Sequence, residues 1–169
     1  TAHDFAAFRD RLMGRSGFQS AQFRELEILL GRYRSGGVQH SAFTAAENQR
    51  LARRLAAPDL WERFVDALRR AGYEVVSRSA AAEDSELAER GREALRQMYV
   101  GGRHPQLREL SEELVALDTA ILVWRTRHAV MAENVIGTKP GTGEQGVSYL
   151  YRQARARFFP ELIELRSLL

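Results

Sequence analysis

An all-α fold is what this sequence predicts, and three features carry that expectation. Apolar residues recur at helical three-and-four spacing between short glycine and proline breaks. Only one stretch, YEVV at 73–76, has strand character, and four residues after a glycine read better as the exit of a helix than as part of a sheet. Finally, no Gly or Pro interrupts residues 107–136, so roughly thirty residues can stay helical as a rod of about 45 Å.

The elements follow in order. Asp4 can cap a helix running to about Met13. The break GRSG then leads into FQSAQFRELEILLGRY, which ends at SGG. Ser41 and Thr44 are candidate caps for a helix through ENQRLARRLA, and Pro58, as a first-turn proline, is expected to start DLWERFVDALRRAG. The polar stretch SRSAAAEDSE precedes a helix over LAERGREALRQMYV. The long helix begins after GGRHP. Its positions Leu110, Leu114, Leu117, Ile121, Trp124, His128, Met131 and Val135 alternate steps of four and three, which places them on one stripe expected to face the core. A final helix is expected over VSYLYRQARARFF.

Composition narrows the function classes. A chain of 169 residues that is 44% hydrophobic suits one domain, expected over 1–169. With no cysteine, disulfide frameworks, thiolate metal sites and thioether-linked haem are excluded, and a reducing cytoplasm is the expected setting. The longest apolar run, TAILVW, is far short of a membrane span, and no secretory signal is visible. The pI of about 9.7 suggests a nucleic-acid binder, but the formal net charge is only +3. Arginines interleave with glutamates as in RELEILLGRYR, the pattern of solvated helix faces, so neither nucleic acid nor membrane is an expected partner.

The hexapeptide GTGEQG at 141–146 has the G-x-G-x-x-G spacing of a dinucleotide-binding turn. That turn requires a preceding strand within a βαβ unit, whereas here a long helix precedes it, and no Gly-Lys-Ser/Thr follows to make a P-loop. The segment therefore reads as a glycine-rich reversal between two antiparallel helices, with Thr142 supplying a short hydroxyl. His128 is the one polar member of the long stripe. It has two readings on spacing alone: a core histidine bonded to a carbonyl, or an axial ligand to a haem iron. His3, His40 and His104 lie near element ends and none is three or four residues from His128, so a multi-histidine metal site is not expected. No GxSxG marks a serine nucleophile.

Three segments, SGFQSAQFRELE (16–27), WRTRHAVMAENVIGTKPGTG (124–143) and FFPELIELRSLL (158–169), resemble in order three motifs of the tryptophan 2,3-dioxygenase family. The resemblance implies a helical bundle of the tryptophan/indoleamine dioxygenase type with a haem pocket. It also implies insertion of both atoms of O₂ across the indole C2–C3 bond of L-tryptophan, giving N-formylkynurenine. It makes His128 the proximal iron ligand of a non-covalently held haem b. Phe5, Arg9 and Leu12 match the family's aromatic-x-x-x-Arg-x-x-Leu substrate pattern, in which the Arg clamps the amino-acid carboxylate; its rigid donor fork suits that task. Ser16 and Gly17 match residues bordering the distal haem face, and Thr142 matches the loop threonine that meets the substrate's ammonium and carboxylate. Phe18 and Trp124 are expected to pack around the cofactor, while Arg24 and Arg125 are candidates for its propionates. O₂, an aromatic amino acid and a homotetramer are the implied partners.

Two departures stand out. The family loop is usually GTGGSSG, whereas this chain has the shorter, acidic GTGEQG. The family's N-terminal region, which normally supplies the distal Phe and His, lies upstream of FAAFR and is not in this sequence. A second enzymatic reading therefore stands beside the first: related haem-dependent monooxygenases hydroxylate aromatic amino acids such as tyrosine. A non-catalytic helical binding protein is the third.

Overall fold

The computed structural model describes residues 21–33, 43–137 and 146–169, and all regular structure among them is helical. The sites expected at Phe5, Arg9, Leu12, Ser16, Gly17, Phe18 and Thr142 lie outside the described residues, as do Asp4 and Ser41. The helices are α1 (Ala21–Leu29), α2 (Ala45–Leu55), α3 (Leu60–Arg70), α4 (Arg78–Glu83), α5 (Ser85–Val100), α6 (Pro105–Ile136), α7 (Gly146–Arg155) and α8 (Pro160–Leu165). They divide between two compact units, one comprising 21–33, 43–117 and 158–169, the other 118–137 and 146–157.

Local chemistry sets most of the boundaries. α1 stops four residues before Tyr33 because Gly31 turns left-handed (φ 82°). The Arg32 N–H then reaches back to the Glu27 carbonyl at 2.9 Å and the Gly31 N–H to Ile28, closing a Schellman motif. A Cβ on Gly31 would sit 2.7 Å from a carboxylate oxygen of Asp59, so both conformation and space select glycine. Thr44 caps α2 in a capping box with Glu47, as the sequence predicts. α3 corrects the sequence reading. Asp59 is its cap, in a second capping box with Glu62, and Pro58 lies one residue outside the helix. Residues 73–77 are neither helix nor strand. The polar stretch that follows contains α4, capped by Ser77, and Asp84 then caps α5. The final segment is also divided: α7 ends at Arg155, and Phe158 and Phe159 lead into α8, which has Pro160 in its first turn.

In the larger unit α1 packs on α2 through Ala21, Ile28, Phe43 and Leu51. α3 buries Trp61, Phe64, Val65 and Leu68, the i, i+3, i+4, i+7 face of an amphipathic helix. Trp61 lies 5.8 Å from the Phe64 ring and 6.5 Å from Phe159 between centroids. The Arg78 guanidinium covers the Trp61 ring at 4.8 Å, pairs with Glu161 and donates to the Phe158 carbonyl at 2.6 Å. One arginine thus fastens the C-terminal segment to the aromatic core.

α6 corrects the expected stripe. Its buried residues are Leu107, Ser111, Leu114, Asp118, Arg125 and Ala129, whereas Leu110, Leu117, Trp124 and Met131 are 41%, 38%, 52% and 55% exposed. His128 is exposed as well. At 3.6 residues per turn the two lines lie about a quarter turn apart. Of the expected stripe, Leu114 is buried and Ile121 and Val135 are half-buried, while the others are exposed. Much of the inward line is small or polar, so a count of apolar residues passes over it.

Two measurements follow. Arg78→Ala leaves Glu161 and the Phe158 carbonyl without their partner and uncovers Trp61, and is expected to cost about 2–4 kcal/mol in urea denaturation; a loss below about 0.5 kcal/mol, the range of ordinary surface changes, would contradict the fastening role. Trp124 is open to solvent and Trp61 is not. Acrylamide should therefore quench Trp61→Phe strongly and Trp124→Phe weakly, and the reverse order would place the stripe on the wrong face.

Candidate functional site

Of the expected site residues, Arg24, Trp124, Arg125 and His128 are described. The last three lie on α6 in the smaller unit. Trp124 and His128 are i, i+4 neighbours, and their rings stack at 6.0 Å between centroids and 11° between planes. Met131 continues the same face, and Val123 and Val130, 40% and 42% exposed, flank it. An imidazole with no hydrogen-bond partner among the described residues thus stands on an exposed apolar surface, its plane set by an indole. The reading of His128 as a buried core histidine does not hold.

Isolated exposed apolar side chains are ordinary, but a contiguous exposed group around one imidazole marks a candidate surface for a partner. Among the described residues no three His, Asp or Glu side chains converge. A flat, apolar group bound through one axial nitrogen fits that imidazole and its surroundings.

Arg125 points elsewhere. It is 7% exposed, and its Nη1 donates to the carbonyls of Gln153 at 3.3 Å and Ala156 at 3.5 Å, at the C-terminal end of α7. A second contact joins the same helices: the Tyr151 hydroxyl donates to Glu133 at 2.6 Å. That carboxylate pushes the Tyr151 pKa up, so the hydroxyl keeps its proton, and the bond, through the neutral and mildly alkaline range. Neither Tyr151 nor Glu133 was singled out by the sequence, because no local pattern pairs residues eighteen apart.

Arg24, in the larger unit, is likewise engaged. Its guanidinium lies 4.8 Å from the Tyr33 ring centroid, donates to the Tyr33 hydroxyl and stands 3.7 Å from Glu27, a carboxylate only 2% exposed. Arg32 meets the same carboxylate at 3.5 Å, so two cations compensate one buried acid. A cleft of about 430 Å³ in this unit is bordered by Trp61, Arg69, Arg78 and Ser79. Its arginines are committed, Arg69 to the Val75 carbonyl and Asp66, Arg78 to Glu161, so the cleft presents no ready anion site. No helix among the described residues is long and apolar enough to cross a membrane.

Comparison with known proteins matches this arrangement to a family. Residues 94–169, which contain α6, α7 and α8, match the family model described as tryptophan 2,3-dioxygenase. Over 99% of its length the chain is 40% identical to a tryptophan 2,3-dioxygenase of a Nocardioides species, of which it covers 60%. It is 36% identical to that of Herpetosiphon aurantiacus, over 99% of this chain and 64% of that protein. With that of Burkholderia pseudomallei the identity is 33%, over 100% of this chain and 57% of that protein. The chain thus spans about three-fifths of the length of these relatives. These similarities, over 94–169 for the family model and over the whole chain for the relatives, liken the chain to the tryptophan 2,3-dioxygenase family.

Proposed function

We propose that this chain is a single helical haem-binding domain of an oxygenase that inserts O₂ at the indole C2–C3 bond of L-tryptophan or a substituted tryptophan. The observation that carries the reading is His128: an exposed imidazole on an apolar face, within the segment that matches the family. Haem b, held non-covalently, would supply the iron that carries O₂ and its oxygen chemistry. The reading brings with it a cytoplasmic homotetramer.

The chain's own residues bind and orient. His128 would hold the iron through a ring nitrogen, and Trp124, stacked on it, restricts rotation of the ring. Phe18 packs beside the cofactor. Arg9 takes the substrate carboxylate in a bidentate fork, Thr142 meets its ammonium and carboxylate, and Phe5 and Leu12 wall the side chain. Ser16 and Gly17 offer a hydroxyl and a backbone N–H on the oxygen-binding side. These groups contribute mainly proximity: they hold the indole beside bound O₂ in one orientation. Glu144 and Gln145, where the family loop has small residues, favour a second reading in which a different aromatic amino acid, tyrosine among them, is hydroxylated.

Purified with haem, the protein should show a strong Soret band, and reduced protein given O₂ and tryptophan should form N-formylkynurenine. His128→Ala should shift or abolish the ferrous band. Arg9→Ala should retain it while losing about 2–5 kcal/mol of substrate binding, seen as a raised KM. An unchanged ferrous spectrum in His128→Ala refutes the ligand assignment, and turnover of tyrosine but not tryptophan selects the second reading.

A further inference from the structure

We infer that Arg125 is a positioning residue, which latches the helix following the glycine-rich connection onto the helix that carries His128, and is not a partner of the haem propionates. The inference rests on the roles proposed above for His128 and Thr142. α6 ends at Ile136 and α7 begins at Gly146; Gly137 and Gly146 are both left-handed (φ 60° and 57°), and the docking of α7 sets where the connection that contains Thr142 ends.

The docking has two described polar contacts, and they bracket His128 along α6. Arg125, three residues before it, donates into the end of α7 at Gln153 and Ala156; Glu133, five residues after it, accepts from Tyr151. As α6 advances from 125 to 133, the partners on α7 retreat from 156 to 151, which fixes an antiparallel register.

The chemistry suits a latch. The last carbonyls of a helix carry the negative end of its dipole, so a cation placed there gains electrostatically, and Arg125 adds a second donor to the Gln153 carbonyl, which already accepts from the Ala156 N–H at 3.2 Å. The Arg125 Nη1 alone reaches both carbonyls, and because the guanidinium is buried this geometry is held in a medium that strengthens it. The same burial turns the charge toward α7 and away from the exposed face where Trp124 and His128 stand.

Amide hydrogen exchange on the whole chain tests this, compared among wild type, Arg125→Ala and Arg125→Lys. Amides at 150–157 should exchange about tenfold faster or more in Arg125→Ala, with α3 amides unchanged. Arg125→Lys should fall between, keeping the charge but losing the guanidinium. In the haem-loaded protein the KM for tryptophan should rise several-fold while the ferrous spectrum stays that of wild type. Unchanged exchange at 150–157 overturns the inference, as does a loss of haem affinity with KM and exchange unaltered, which would return Arg125 to the propionates. Should Arg125→Ala fail to fold, Arg125→Lys is judged by the same two criteria. Exchange reads the latch without haem, so failure of the haem assignment, seen in His128→Ala, is separable from failure of the latch.

Discussion

The fold depends on how α6 divides its surface. One line, through Ser111, Asp118, Arg125 and Ala129, is buried although much of it is polar; another, through Trp124, His128 and Met131, is exposed although mostly apolar. Burying Asp118 and Arg125 is costly unless their polar atoms are satisfied, and both have partners. Leaving large apolar side chains in water forgoes about 25 cal/mol for each Å² that could be covered. A helix arranged only for packing would do neither. The arrangement makes sense if the outward line is completed by something flat, apolar and coordinated by one nitrogen.

Elsewhere in the described structure, elements are begun, ended and fastened by local means. Capping boxes at Thr44 and Asp59 begin α2 and α3, and the Schellman turn at Gly31 ends α1 where its Cα must pass close to the Asp59 carboxylate. Arg78 ties the C-terminal segment to the aromatic cluster around Trp61. In the smaller unit the same residue type does comparable work, since Arg125 holds the end of α7. Two arginines, each bonded to backbone carbonyls, fasten these segments, Arg78 beside an apolar core and Arg125 at the end of α7.

What could be read beforehand divides along the same physical line. Helix identity was legible wherever chemistry is local. Thr44-x-x-Glu47 is a capping box on sight, and the face Trp61, Phe64, Val65, Leu68 announces itself. Asp59-x-x-Glu62 was equally visible, but Pro58 drew attention one residue too early. The short α4 was hidden because Arg-Ser-Ala-Ala-Ala-Glu has no apolar stripe; its start depends on Ser77 as cap. Which side of α6 is buried was not legible at all, because periodicity yields a line and not what covers it. His128 is legible as a candidate ligand only through its motif. The tasks of Arg125, Tyr151 and Glu133 depend on a pairing between helices that no single segment encodes.

The central claim is that the His128 imidazole, on the outward face of α6, binds the iron of a haem. Resonance Raman spectroscopy of the reduced, haem-loaded chain tests it most directly, because the iron–histidine stretch reports that bond alone. The account predicts the band in wild type, its absence in His128→Gly, and the return of an iron–imidazole band when free imidazole is added to the variant. An unaltered iron–histidine band in His128→Gly without added imidazole would contradict it.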